Sequence, residues 1–236
     1  MRKNIVLLHG WGAETKKLKP LKDELEKRGW SVLLPKLAGF ENPPPDKVWG
    51  IKEYSEYVYS EARNAFKNEN FFVFGHSFGG GIAIKLAYRK CKGLSGIILC
   101  ASRGVSRGKL LKRLLFSALA KTGKVFLLVP VLAGSFRRLL YKAAREHDYE
   151  KTEGIMKDIF KKVISEDLKP QIKQISTPTL ILWGKIDRVT PMGDARFINE
   201  SIKNSKIVLF EDEGHRLPYN KPKVIAEETD LWFKNL

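Results

Sequence analysis

Cysteine is nearly absent from this chain of 236 residues: there are two, Cys91 and Cys100. Two cannot build a disulfide framework, and they lack the CxxC spacing of a zinc site. Histidine is also sparse. His9, His76, His147 and His215 leave little material for a metal cluster, and neither a metal nor an organic cofactor is expected. Long apolar runs are missing too. Arg2 and Lys3 are followed only by residues 5–8 before His9-Gly10, whereas the apolar part of a signal peptide needs roughly 7–15 residues. The longest run, residues 125–134, is broken by Pro130 and falls far short of the roughly 20 residues of a transmembrane helix. A cytoplasmic chain without a membrane span is expected.

Acidic residues are the last shortage, and a local one. The chain carries 43 Lys and Arg against 26 Asp and Glu, a net +17, and residues 70–145 hold 15 of the basic residues and no acidic one. Such a block suits nucleic acid, an anionic membrane or an acidic partner, or is simply a solvated face. With no RNP motif or zinc finger beside it, nucleic acid is not expected.

What remains is globular. Apolar residues make up 43% and charged residues 29%, and the length suits one α/β domain with a modest insertion. Six short apolar runs stand out, at residues 5–8, 32–34, 71–74, 96–100, 179–183 and 207–210. Each is continuous rather than alternating, the pattern of strands covered on both faces in a parallel sheet. Helical stripes lie between them: Leu18-Leu21-Leu25 ending at Gly29, Ile51-Tyr54-Val58-Ala62-Ala65, and residues 81–88. The alternation predicts an α/β fold with a mostly parallel sheet of about six strands flanked by helices. About 75 residues separate the fourth and fifth runs, too many for a crossover loop. Residues 102–170 are expected to form a helical cap, with helices over 108–122, 137–145 and 155–164. Residues 1–101 and 171–236 then form the core domain.

The chemistry is concentrated in Gly75-His76-Ser77-Phe78-Gly79, a G-x-S-x-G between a predicted strand and a predicted helix. That is the setting of a nucleophile elbow, where a tight turn lifts the serine hydroxyl above the sheet edge. Ser77 needs a base and an orienting acid. Asp187 falls just past the fifth strand and His215 just past the sixth, in the chain order Ser, Asp, His, all at strand C-terminal ends where open α/β sheets collect their catalytic groups. His215 would take the Ser77 proton, and Asp187 would hold the imidazole. The oxyanion hole needs two donors: the N–H of Phe78 and, from the loop His9-Gly10-Trp11-Gly12, the N–H of Trp11. Asp212 competes with Asp187 as the acid but shares a loop with His215. His9 and His76 have no triad slot and are read as structural, His147 as solvated, and the cysteines as small buried apolar residues. The rings of Trp11 and Phe78 either line an acyl pocket or fill space.

These pieces resemble the α/β-hydrolase superfamily, in order and across nearly the whole chain: His9-Gly10-Trp11-Gly12, residues 75–80, Trp183-Gly184-Lys185-Ile186-Asp187 and Gly214-His215. The likeness is greatest to its small carboxylesterase branch, which includes methyl esterases of pimeloyl groups carried on acyl carrier protein. The resemblance implies a cap after the fourth strand and six strands where the superfamily usually has eight. It also implies a serine hydrolase of a small-molecule or carrier-bound carboxylic ester. Thioester hydrolysis and C–C bond hydrolysis use the same triad, and a non-catalytic binding protein on this fold is the remaining alternative. An acidic partner or an anionic lipid surface would meet the basic cap.

Overall fold

The computed structural model describes residues 2–104 and 154–236. Among them β1 (Asn4–Leu8), β2 (Ser31–Leu33), β3 (Phe71–His76), β4 (Leu94–Cys100), β5 (Thr179–Gly184) and β6 (Ser205–Phe210) make one sheet in the order β2-β1-β3-β4-β5-β6. Every neighbouring pair is parallel. All six expected strands are present, each within two residues of its apolar run.

Their continuous apolar character follows from cover on both faces. Side chains alternate across a strand, and here both sets are buried. Val6, Leu8, Val73, Ile97, Leu99, Ile181 and Trp183 join one core, with α2 (Ile51–Ala65) and α3 (Phe78–Tyr88). Ile5, Leu7, Phe72, Phe74, Ile98, Cys100, Leu180 and Leu182 join the other, with α1 (Lys19–Glu26) and the C-terminal helix (Pro222–Lys234). The expectation of full burial fails at the two edges. In β2 Ser31 is exposed and Val32 half-buried, and β6 is half-buried along most of its length. An edge strand has a neighbour on one side only, so its flank meets solvent.

The second half of the chain adds α4 (Ile155–Ser165), α5 (Lys169–Ile172), α6 (Met192–Ser201), α7 (Leu217–Asn220) and α8, the C-terminal helix. Of the helices expected in the cap, only that over 155–164 falls among the described residues. As α4 it buries Ile159, Phe160 and Val163, and Ile159 and Val163 join the core that holds α2 and α3. Lys162 Nζ also donates to the Val48 carbonyl at 3.0 Å, and Lys85 pairs with Glu166 at 2.8 Å. The helices expected over 108–122 and 137–145, and His147, lie outside the described residues.

The order of strands places the site. The chain steps from β1 outward to β2, then returns to the other side of β1 to lay down β3. Loops leaving β1 and β3 therefore diverge to opposite faces and open a crevice at the strands' C-terminal ends. His9-Gly10-Trp11-Gly12 leaves β1 there, and Ser77 leaves β3 beside it.

Candidate active site

Ser77 adopts φ 51° and ψ −109°, a conformation that L-residues avoid and that costs about 1–3 kcal/mol. The surroundings hold it there. Its N–H donates to the Cys100 carbonyl at 3.2 Å, and its carbonyl accepts the N–H groups of Gly80 at 3.0 Å and Arg103 at 2.9 Å. The turn closes only because Gly79 has no side chain: a β-carbon there would lie 2.6 Å from the Leu8 β-carbon. The Gly79 N–H instead reaches the His9 carbonyl at 3.2 Å, tying the elbow to the loop after β1.

Among the described residues the two candidate oxyanion donors are both left open. At the start of α3 the Gly79 and Gly80 amides are engaged as described, and among the described residues no backbone acceptor takes the Phe78 N–H. Trp11 is aimed by the peptide that precedes it. The Gly10 carbonyl accepts His9 Nδ1–H at 2.8 Å and the Ala13 N–H at 3.2 Å. In a trans peptide the next N–H points opposite that carbonyl, so the Trp11 N–H is directed away from the loop's own bonds. Gly10 itself packs on the elbow: a β-carbon there would stand 3.3 Å from Ser77 Cβ.

His9 thus fixes the Gly10 carbonyl through its ring. Its ring is buried, Nδ1 must carry the proton because its partner is a carbonyl, and Nε2 has no hydrogen-bond partner among the described residues. Burial holds its pKa below the ordinary imidazole value. The side chain of Phe78 fills space: it is 2% exposed and packs edge-on to Tyr54 at 5.1 Å. Trp11 is half-buried, in contact with Phe40, Phe78 and, from α4, Phe160.

Asp187 and His215 come together. His215 Nδ1 donates to Asp187 Oδ2 at 2.9 Å. The carboxylate is caught in a tight turn: Oδ1 accepts the Val189 N–H at 2.8 Å and the Thr190 N–H at 2.9 Å, and Oδ2 accepts the Thr190 hydroxyl at 2.7 Å. Burial pushes its pKa up, but His215 and these donors outweigh it and hold Asp187 below the usual carboxylate range. Two backbone bonds clamp the acid loop to the base loop, Lys185 N–H to Phe210 carbonyl at 2.8 Å and Ile186 N–H to Glu213 carbonyl at 3.1 Å. Asp212 is exposed on the loop between. Ser77 lies one residue from His76, whose ring packs against that of His215 with centroids 4.9 Å apart. Among the described residues no hydrogen bond joins Ser77 Oγ to His215; such pairs are often long without substrate and tighten when it binds.

A family model described as serine aminopeptidase, S33, matches residues 1–221. The chain belongs to that family of α/β hydrolases. It is 27% identical to the AB hydrolase superfamily protein YisY of Bacillus subtilis, over 94% of this chain and 88% of that one. To the proline iminopeptidase of Saccharolobus solfataricus it is 28% identical, over 90% and 79%. An esterase from Exiguobacterium antarcticum shares the fold at a TM-score of 0.73 and 21% identity, covering 98% of this chain and 92% of that one.

Two residues of this hydrolase's site were not singled out from sequence. Thr190 supports both the acid and its loop, and its carbonyl takes the Trp183 indole N–H at 2.7 Å. The signal for it was present: a threonine three residues after an aspartate suits a turn in which the carboxylate collects successive N–H groups. Tyr219 had no such signal, because its partner His76 is 143 residues away. Among the described residues, no group of three or more His, Cys, Asp and Glu is arranged to hold a metal ion. Nor is any described helix long and apolar enough to cross a membrane.

Proposed function

We propose that this hydrolase cleaves carboxylic esters through an acyl-enzyme on Ser77. The observation that carries the reading is the Asp187–His215 pair at the sheet edge beside a strained Ser77, with the Phe78 and Trp11 amides, open among the described residues, able to donate to an oxyanion. Ser77 Oγ adds to the ester carbonyl as its proton passes to His215 Nε2. The carbonyl oxygen, now anionic, is held by the two amides. The tetrahedral species collapses, the C–O bond to the alcohol breaks, and His215 returns the proton to the departing oxygen. Water then adds to the acyl group with His215 again as base, releasing the acid and restoring Ser77. Asp187, ionised throughout, fixes the imidazole and balances its transient charge.

The test is a series of p-nitrophenyl esters of rising acyl length, with Ser77→Ala and His215→Ala as controls. Each variant should fold and lose about three orders of magnitude or more in kcat, because triad members act as a unit. Wild-type turnover in a folded Ser77→Ala protein would contradict the assignment. Prolyl and leucyl p-nitroanilides belong in the same panel, since the iminopeptidase relative raises amide hydrolysis as the second reading. Faster turnover of those amides than of any ester would replace the ester reading and keep the triad.

The charge distribution suggests how substrate arrives. The basic block, residues 70–145, would recruit an anionic ester carrier, such as an acidic acyl carrier protein or an anionic lipid surface. Rim charges chiefly raise association rates, and salt screens them over about 8–10 Å. Reversing Lys112, Arg113, Arg137 and Arg138 to Glu should raise KM for a carrier- or vesicle-borne ester and leave a small neutral ester unchanged. An equal change for both substrates would make the block a solvated face.

A further inference from the structure

The triad leaves a second histidine at the site unused. His76 precedes the nucleophile, is 3% exposed, and has both ring nitrogens engaged. Its Nε2 lies 2.8 Å from the His215 carbonyl oxygen and its Nδ1 lies 3.0 Å from Tyr219 Oη. A carbonyl can only accept, so Nε2 carries the proton. In a neutral ring Nδ1 is then the acceptor, and the Tyr219 O–H must be its donor. The Gly10 backbone packs on the same ring: a β-carbon there would stand 3.0 Å from His76 Nδ1. The bonds therefore run one way: Tyr219 O–H to His76, His76 N–H to the His215 carbonyl.

From this geometry we propose that His76 and Tyr219 form an uncharged strut, and that both are positioning residues which set His215 relative to Ser77 and to the Gly10–Trp11 peptide. The inference rests on the serine-hydrolase reading above. The strut touches the three loops that must be in register for the reaction: it is bonded to the loop bearing the base, built into the elbow bearing the nucleophile, and packed against the loop presenting the second oxyanion donor. The cover around it is complete. His215 faces the ring from the base loop with centroids at 4.9 Å, Tyr219 meets it edge-on from α7 at 5.0 Å, and Asp187 on the acid loop and His9 on the oxyanion loop are the other titratable groups that act on it. Burial above all, aided by repulsion from His215, pushes the His76 pKa down to about 3, and burial pushes Tyr219 up to about 12. Neutrality suits the place: a charged His76 would oppose the imidazolium that forms on His215 at each turnover.

The test separates the two bonds of the ring. In His76→Gln the amide nitrogen reaches the position of Nε2 and keeps the bond to the His215 carbonyl. In His76→Asn the side chain reaches only the position of Nδ1 and keeps the bond to Tyr219. The strut predicts a loss of about tenfold in kcat for His76→Gln and for Tyr219→Phe, and about a hundredfold for His76→Asn, each with KM within about threefold. The double variant His76→Asn, Tyr219→Phe should lose little more than His76→Asn, since the two residues act in series. Equal kcat for the Gln and Asn variants, or strict additivity in the double, would overturn the strut. Labelling of Ser77 by a fluorophosphonate should slow in the same order, whatever substrate is preferred. Absence of labelling in the wild type would instead remove the serine-hydrolase reading. Imidazole nitrogen NMR of the unmodified protein reads the strut without activity: His76 should hold its proton on Nε2, with Nδ1 bare, from pH 5 to 8. A proton on Nδ1 in that range would overturn it.

Discussion

Asp187, the proposed orienting acid, is held in place by its neighbours. Its carboxylate takes four hydrogen bonds, two from backbone and one each from Thr190 and His215. Thr190 Oγ1 is also 3.3 Å from His215 Nδ1 and 3.2 Å from the Ala101 carbonyl. With one proton to give, the hydroxyl gives it to Oδ2, the shortest of these contacts, and so leaves a second donor on the oxygen that His215 uses. Removing that donor should let the carboxylate swing. Thr190→Val should lower kcat by about tenfold, the scale of a hydrogen bond to a buried charge, with KM little changed. Thr190→Ser should restore most of the loss. If valine and serine behave alike in steady-state kinetics, the hydroxyl does not position the acid.

At the scale of elements, the decisive feature is how closely loops pass one another over the sheet edge. A β-carbon on Gly184, the last residue of β5, would overlap the Glu213 carbonyl two residues before His215. Gly184→Ala must therefore lift the base loop from the acid loop. It should cost about 1–3 kcal/mol of stability, as overpacking does, and reduce kcat more than the stability loss accounts for. Denaturation and turnover measured on one preparation check this, and unchanged turnover would show that the loop has room. Much of this level was legible in advance. The runs 71–74 and 179–183 announced strands because both faces of a central strand are apolar, and G-x-S-x-G between strand and helix announced the elbow. Helix α8 was not among the expected helices although Pro222 opens it and Ile225, Ala226, Thr229 and Trp232 make its buried stripe; Asp230, a charged residue on that stripe, blurs the pattern. Its role appears only in three dimensions, where it accepts Lys3 Nζ at 2.6 Å and the Trp30 indole N–H at 3.1 Å. His76 and Tyr219 were illegible as a pair for the same reason: their link is a matter of packing between distant loops.

For the whole molecule, burying histidines makes stability depend on pH. The His76 pKa falls from 6.5 unfolded to about 3 in the fold. Between those values the unfolded chain binds a proton that the native state excludes, so stability drops as pH falls, by about 1.4 kcal/mol per pH unit for this one group. His9, lowered by burial, adds in the same direction. At still lower pH, below the ordinary 3.8 of an aspartate, Asp187 and Asp230 lose the stability their hydrogen bonds confer on the charged form. The urea midpoint should therefore decline from pH 7 to 4.5, and His76→Gln should flatten that decline. A slope unchanged in the variant would mean that His76 is not held neutral.

In the proposed mechanism Ser77 is the nucleophile of a site completed by His215 and Asp187. Stoichiometric reaction with a fluorophosphonate, followed by mass spectrometric mapping of the modified peptide, tests it without assuming any substrate. One adduct per chain is expected, on Ser77, formed slowly or not at all in the His215→Ala protein. An adduct on another residue, or labelling that persists in Ser77→Ala, would contradict it.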